Sequence, residues 1–183
     1  MKLDSFCDIK TGIPINRYLD SSGNSDIKYL NLKSINNFRI HKEFLNNGKL
    51  KKEIHQQYYA KENDILIKLA EPNDVVLIGK DDIGVVITQY FAIIRVSDKK
   101  IEPGYLAHIL NSKKTKQEYK KKLEGGTTGI LKLSILKELE IDFPKLEEQI
   151  KLRTFWDLLV KKSQLMERKK ELFEVWKEEI IKK

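Results

Sequence analysis

Short apolar runs separated by turn residues fill roughly the first hundred positions, and the pattern lengthens after Pro103. Residues 27–32, 64–69, 75–78, 85–88 and 91–96 are rich in Ile, Val, Leu, Phe and Tyr, and each predicts a strand. Asn and Gly clusters lie between them, at Ser21-Ser22-Gly23-Asn24, Asn46-Asn47-Gly48 and Lys80-Asp81-Asp82-Ile83-Gly84, and mark turns. Pro103 suits a first helical turn, after which Tyr105, Leu106, Ile109 and Leu110 form one apolar face. A lysine-rich helix follows from Lys113, with Gly125 placed to end it. A glycine-threonine loop, Gly125-Gly126-Thr127-Thr128-Gly129, leads to Ser134 and then to a short apolar strand over 139–143. The expected fold class is α+β, with a mixed-strand globular domain over 1–144 and a long C-terminal α-helix over 145–183.

The terminal segment has a different period. Leu152, Leu159, Met166, Phe173 and Ile180 recur every seven residues, and Leu158, Leu165 and Leu172 form an adjacent row. A third row, Phe155, Lys162, Lys169 and Trp176, is apolar only at its ends. Adjacent heptad rows make a wide stripe suited to packing against another helix, as in a coiled coil. Glu147 and Glu148 at the start and Lys182 and Lys183 at the end complement the helix dipole. About 37 residues of helix span roughly 55 Å, too long for a domain of this size to cover, so part of the stripe calls for a partner. Leu152, Phe155, Leu158, Leu159, Leu165, Met166, Leu172, Phe173, Trp176 and Ile180 are the expected helix-packing residues. Folding of the helix back onto its own domain is the competing expectation.

Composition narrows the class. The chain has 183 residues, of which 40% are hydrophobic and 34% charged, as in a soluble globular protein with a charged surface. No run reaches the length of a membrane span, and Met1-Lys2-Leu3-Asp4 lacks a signal-peptide core. The single cysteine, Cys7, rules out an internal disulfide and fits a reducing cytoplasm. The net charge of +8 is uneven: residues 113–122 hold six lysines against Glu118. Lys113, Lys116 and Lys120 share one helical face there. Such a cluster beside a nearly neutral body suits a polyanion, and equally a solvated helix face.

Catalytic signatures are missing. The Gly125-to-Gly129 loop lacks the Gly-Lys-Ser/Thr end of a P-loop, and no Gly-x-Gly-x-x-Gly fingerprint occurs. The Asn/Asp-Pro-Pro-Tyr/Phe tetrapeptide of amino-group methyltransferases is absent; Glu71-Pro72-Asn73 is not a match. His41, His55 and His108 are widely separated, and with one cysteine they make no zinc set, so neither a metal nor a cofactor is expected. Asp8-Ile9-Lys10 and Glu118-Tyr119-Lys120 match part of a metal-dependent nuclease pattern.

The remaining ingredients are those of binding. Arg17, Tyr18, Lys28, Asn31, Lys33, Asn36, Asn37 and Arg39 lie in or beside predicted loops, and Lys68, Asn73, Thr88, Gln89 and Tyr90 flank the central strands. Thr11 and the loop threonines Thr127 and Thr128 join Lys113, Lys116 and Lys120 in this candidate DNA-binding set. Asn and Gln pair bidentately with adenine, Arg and Lys with guanine, and lysines neutralise phosphate.

The order of segments resembles the specificity subunit of type I restriction-modification systems. The resemblance runs through Ile9-Lys10-Thr11-Gly12, Tyr29-Leu30-Asn31-Leu32, Glu62-Asn63-Asp64-Ile65-Leu66-Ile67 and Phe91-Ala92-Ile93-Ile94-Arg95. It is strongest at Gly125-Gly126-Thr127-Thr128, Leu133-Ser134 and Ile141-Asp142-Phe143-Pro144-Lys145-Leu146-Glu147-Glu148-Gln149. It implies a target recognition domain that reads one half of a bipartite double-stranded DNA site, followed by a helical spacer. It also implies a non-catalytic role, with methylation by DNA methyltransferase (modification) subunits and cleavage by a restriction subunit. Full-length members carry two domain-plus-helix units where this chain has one. A half-subunit whose helix pairs antiparallel with a second copy, as a homodimer, and a piece of a longer subunit both accommodate that difference. Two alternatives stand beside this expectation. One is a small metal-dependent nuclease using Asp8 and Lys10; the other is a coiled-coil interaction protein without DNA affinity.

Overall fold

The computed structural model describes residues 1–23, 25–123 and 129–181, with Ile181 described by its backbone. In chain order the strands are β1 (Cys7–Thr11), β2 (Ser25–Tyr29), β3 (Ile35–Asn36), β4 (Arg39–Ile40), β5 (Asn46–Leu50), β6 (Ile65–Lys68), β7 (Val75–Leu77) and β8 (Phe91–Val96). Four α-helices follow: α1 (Pro103–Leu110), α2 (Lys113–Leu123), α3 (Leu133–Lys137) and α4 (Leu146–Ile181). Strands precede helices, as an α+β reading of the sequence expects. Among the described residues no helix is long and apolar enough to cross a membrane.

A four-stranded antiparallel sheet in the order β1-β8-β6-β7 forms the centre. Its inner strands read as continuous apolar runs because both faces are covered. Ile65, Ile67, Ala92 and Ile94 point to one side, where they pack with Leu106, Leu110, Tyr119 and Leu136 from the helices. Leu66, Val76, Phe91 and Ile93 point to the other, against Leu30, Ile35, Ile40, Ala60 and Ile87. A third cluster, Ile13, Ile15, Leu50, Ile54 and Val86, lies beneath a separate two-stranded ribbon made of β2 and β5. At the sheet margin the Arg95 guanidinium donates to both oxygens of buried Asp64, at 2.7 and 2.8 Å, and to the Tyr59 carbonyl at 3.2 Å. Hydrogen bonding to Asp64 holds the Arg95 pKa above its ordinary value despite the opposing effect of burial.

Three local expectations give way to tertiary pairing. The segment 85–88 makes isolated bridges instead of a strand: Val86 meets Tyr29 and Tyr59, and Thr88 meets Ile13. The segment 139–143 is also not a strand. It forms one bridge, Glu140 with Lys2, because its partner turns into a 3-10 helix at Leu3–Ser5. Asn46-Asn47-Gly48 is the start of β5, not a turn, since the ladder to β2 outweighs local preference. Gly48 lies against the Leu19 side chain in that strand: a Cβ there would come within 2.7 Å of Leu19 Cδ2, which would have to move.

Candidate nucleic-acid interface

Several of the expected DNA-binding residues are engaged inside the protein. Buried Thr88 donates its hydroxyl to the Leu30 carbonyl at 3.0 Å. Buried Asn73, at a left-handed φ of 55°, caps the β6–β7 turn by donating to the Lys68 and Leu69 carbonyls, each at 3.1 Å. Asn31 donates to Asn46 Oδ1 at 2.8 Å and to the Phe44 carbonyl, while its own oxygen accepts from the Lys33 N–H at 2.8 Å. Lys68 and Lys116 both meet Asp74, at 3.4 Å each, and Lys120 lies 3.9 Å from Glu71. The lysine face of α2 is therefore partly neutralised by the β6–β7 turn, while Lys113 stays exposed.

Asn36, Asn37 and Arg39 share a tight hairpin. Asn37 and Phe38 have φ of 49° and 61°, the pair of left-handed residues that a two-residue primed turn requires between β3 and β4. The tip is docked on α4: Asn37 Nδ2 donates to Glu167 at 2.8 Å, and Gln164 donates to the Asn37 carbonyl at 2.9 Å. Arg39 donates to His41 at 3.2 Å, and Asn36 remains exposed.

A second group gathers at one end of the central sheet. Thr11 ends β1 next to exposed Gln89 and Tyr90; the Gln89 N–H donates to the Ile13 carbonyl at 2.8 Å. Ala70 pairs with Ile130 beside them, so the chain leaving the glycine-threonine loop is anchored there. Thr127 and Thr128 themselves lie outside the described residues.

Arg17 and Tyr18 belong to a third group, around the β2–β5 ribbon. The Lys51 N–H donates to the Tyr18 carbonyl at 3.0 Å, and the Lys52 ammonium sits 4.4 Å above the Tyr18 ring. Nearby Asp20 accepts from the Ser22 N–H at 3.0 Å and from its hydroxyl at 2.8 Å, and these bonds lower its pKa. An open groove of about 920 Å³ runs beside the ribbon, lined in part by Lys28, Lys51, Lys52, His55 and Gln56. Of these only Lys28 is among the sequence candidates. The turn chemistry of Asn46-Asn47-Gly48 conceals the strand that sets Asn47 and Lys49 on the ribbon beside Lys28 and Asp26. The Lys49-Leu50-Lys51-Lys52 run was the available signal.

Helix α4 has two dissimilar sides. Toward the domain, buried Gln149 accepts from the Glu102 N–H at 3.0 Å and donates to the Lys100 and Pro144 carbonyls, at 3.0 and 2.8 Å. Arg153 bridges Glu102 and Asp157, Asp157 meets His108 at 2.8 Å, and Trp156 stacks on Tyr105 at 5.5 Å. Burial and the charge of Glu148 raise the Tyr105 pKa. Leu152 is half-buried on this side. The other expected packing residues, Phe155, Leu158, Leu159, Leu165, Met166, Leu172, Phe173, Trp176 and Ile180, are 48–63% exposed.

Asp8 and Lys10 pair with each other at 2.6 Å on the exposed side of β1. Among the described residues no group of three or more His, Cys, Asp or Glu is arranged to hold a metal ion.

The description "type I restriction modification DNA specificity domain" fits residues 1–174 of the chain. No curated protein matches it. Among solved structures, a chain from the complex assembly and conformational transition of the type I R-M system is similar, with a TM-score of 0.64 at 18% identity. That similarity covers 92% of this chain and 39% of the other. The HsdS subunit from Thermoanaerobacter tengcongensis gives 0.61 at 18% identity, covering 92% and 38%. The type I S subunit from M. genitalium gives 0.52 at 18%, covering 86% and 37%. The chain thus spans less than half the length of the solved subunits whose fold it shares.

Proposed function

The chain belongs to the type I restriction modification DNA specificity domain family, and on that premise we propose that it selects the DNA sequence on which a type I system acts. The family and its solved neighbours are specificity components, which are not catalytic. Residues 1–144 form the recognition unit and read one half of a split target. Residues 145–183 are the spacer, whose outward stripe pairs antiparallel with α4 of a second copy to make a coiled coil. The homodimer then presents two recognition units to a two-fold target, and methyltransferase and restriction subunits bound to it carry out the chemistry.

The observation that carries this reading is the extent of the family match. It runs through the recognition domain and along α4 to residue 174, so domain and helix belong to one functional design. The outward apolar stripe adds the reason for a second chain: the nine apolar residues of the heptad rows from Phe155 to Ile180 are each about half or more exposed. Mapping methylated adenines in the host genome, with and without this chain, tests the reading. The expected result is a motif of two short elements separated by unspecified bases that disappears when the chain is deleted. An unchanged methylation map would overturn it.

A further inference from the structure

The β2–β5 ribbon presents two rungs of polar side chains that are held in place without being used. Its register sets Asp26 opposite Lys49 and Lys28 opposite Asn47. All four are exposed, and among the described residues none makes a side-chain hydrogen bond or ion pair. The alternate side chains, Ile27, Tyr29 and Leu50, turn inward onto Ile13, Ile15, Ile54 and Val86. The ribbon backbone is tied at its base as well: the Asp20 N–H donates to the Lys49 carbonyl, and the Lys51 N–H to that of Tyr18, both at 3.0 Å. An element fixed this way loses little conformational freedom when its outer face meets a ligand.

The ligand chemistry follows from the outer face. A carboxylate accepts from cytosine N4, an amide pairs with adenine N6 and N7, and an ammonium donates to guanine O6 and N7. Two adjacent rungs therefore carry acceptors and donors together, which a purely phosphate-binding surface does not need. Lys51 and Lys52 follow immediately after β5 and add positive charge beside the groove. A two-stranded ribbon fits the major groove, which is about 12 Å wide. By contrast, Thr88, Asn73, Asn31 and Lys68 spend their polar groups within the domain.

We propose that the outward face of the β2–β5 ribbon is the base-reading element of this chain. It enters the major groove with Asp26, Lys28 and Asn47 on base edges and Lys49, Lys51 and Lys52 on flanking phosphates. This assignment rests on the DNA-selecting role proposed above, and the two are separable by experiment.

The full-length chain is incubated with a randomised duplex library, bound sequences are recovered, and affinities for the selected and a scrambled duplex are measured across a salt series. Asp26→Ala and Asn47→Ala should each relax the selected motif at one position, losing roughly 5- to 150-fold of preference there. Lys49→Ala/Lys51→Ala/Lys52→Ala should weaken both duplexes alike and reduce the salt slope by roughly 2.7. Lys99→Ala/Lys100→Ala, away from the ribbon, should leave the motif and the slope unchanged. Unaltered thermal unfolding of each variant establishes that the fold persists. If the wild type selects a motif and the ribbon variants select the same motif with equal affinity, the ribbon is not the reader, although DNA selection stands. If the wild type selects no duplex, DNA selection itself fails and the ribbon assignment with it.

Discussion

The two long sides of α4 are stabilised by different physics. The side facing the domain is polar and aromatic: Gln149, Arg153, Trp156, Asp157, Gln164 and Glu167 each meet a specific partner. The side facing away is Leu, Met, Phe, Trp and Ile with about half of each residue in solvent. Hydrogen bonds are directional, so the first side fixes the angle at which the helix leaves the domain. Apolar burial is non-directional and proportional to area, so the second side supplies drive for association but little orientation. Together they suit a rod that is aimed by its own domain and joined to another along its back.

The comparison breaks most visibly on the outward side. Leu158→Asp/Leu165→Asp/Leu172→Asp would place three carboxylates in the proposed helix–helix seam. Light scattering should then report the 21.5 kDa chain mass in place of twice that value. Denaturation of the domain should change by less than about 0.5 kcal/mol per substitution, since these residues lie on the exposed side of α4. A wild type that is monomeric at all concentrations would remove the second copy from the scheme.

The inward side gives smaller, complementary effects. Gln149→Ala removes three hydrogen bonds from a buried site and leaves the Glu102 N–H without its acceptor. It should cost about 2–3 kcal/mol in urea denaturation. Trp156→Ala removes the stack on Tyr105 and should cost about 2 kcal/mol, less than for a fully buried tryptophan. Both should preserve dimer mass if the outward stripe alone carries association. A monomeric product from either would show that helix direction, and not only apolar area, is required.

The smallest effect lies in the domain interior. Burial pushes the Cys7 thiol up to about 12, so the neutral form is the one the fold favours. A raised folded-state pKa contributes stability that is complete below the thiol's ordinary value and is lost as pH rises toward 12. Iodoacetamide labelling at pH 8 should therefore follow unfolding of the domain, and rapid labelling of the native chain would contradict the burial. The outward-side substitutions should leave that labelling rate unchanged.

Periodic features of the sequence survived folding best. Strands β6, β7 and β8 and helix α1 lie where apolar runs and 3.6-residue spacing place them, because those positions are buried in the core, and α4 lies where its heptad rows place it although that stripe stays exposed. The β5 strand was not legible, since Asn46-Asn47-Gly48 carries turn chemistry and becomes a strand only when β2 is laid beside it. The candidate interface suffered more. A polar residue's type says what it is able to bond, but its partner is decided by position: Asn73 and Thr88 are sealed inside, while Lys28 is left free.

By itself the sequence determined that strands precede helices, the heptad rows of α4 and the resemblance that the family match then confirmed. Those depend on local spacing, which the chain carries wherever it goes. Only the tertiary structure decided which face of α4 meets the domain, which polar side chains are consumed internally, and that Asp26, Lys28, Asn47 and Lys49 form one outward surface. Each of these depends on pairing between residues distant in sequence, and one strand's residues do not specify which neighbour will satisfy their backbone.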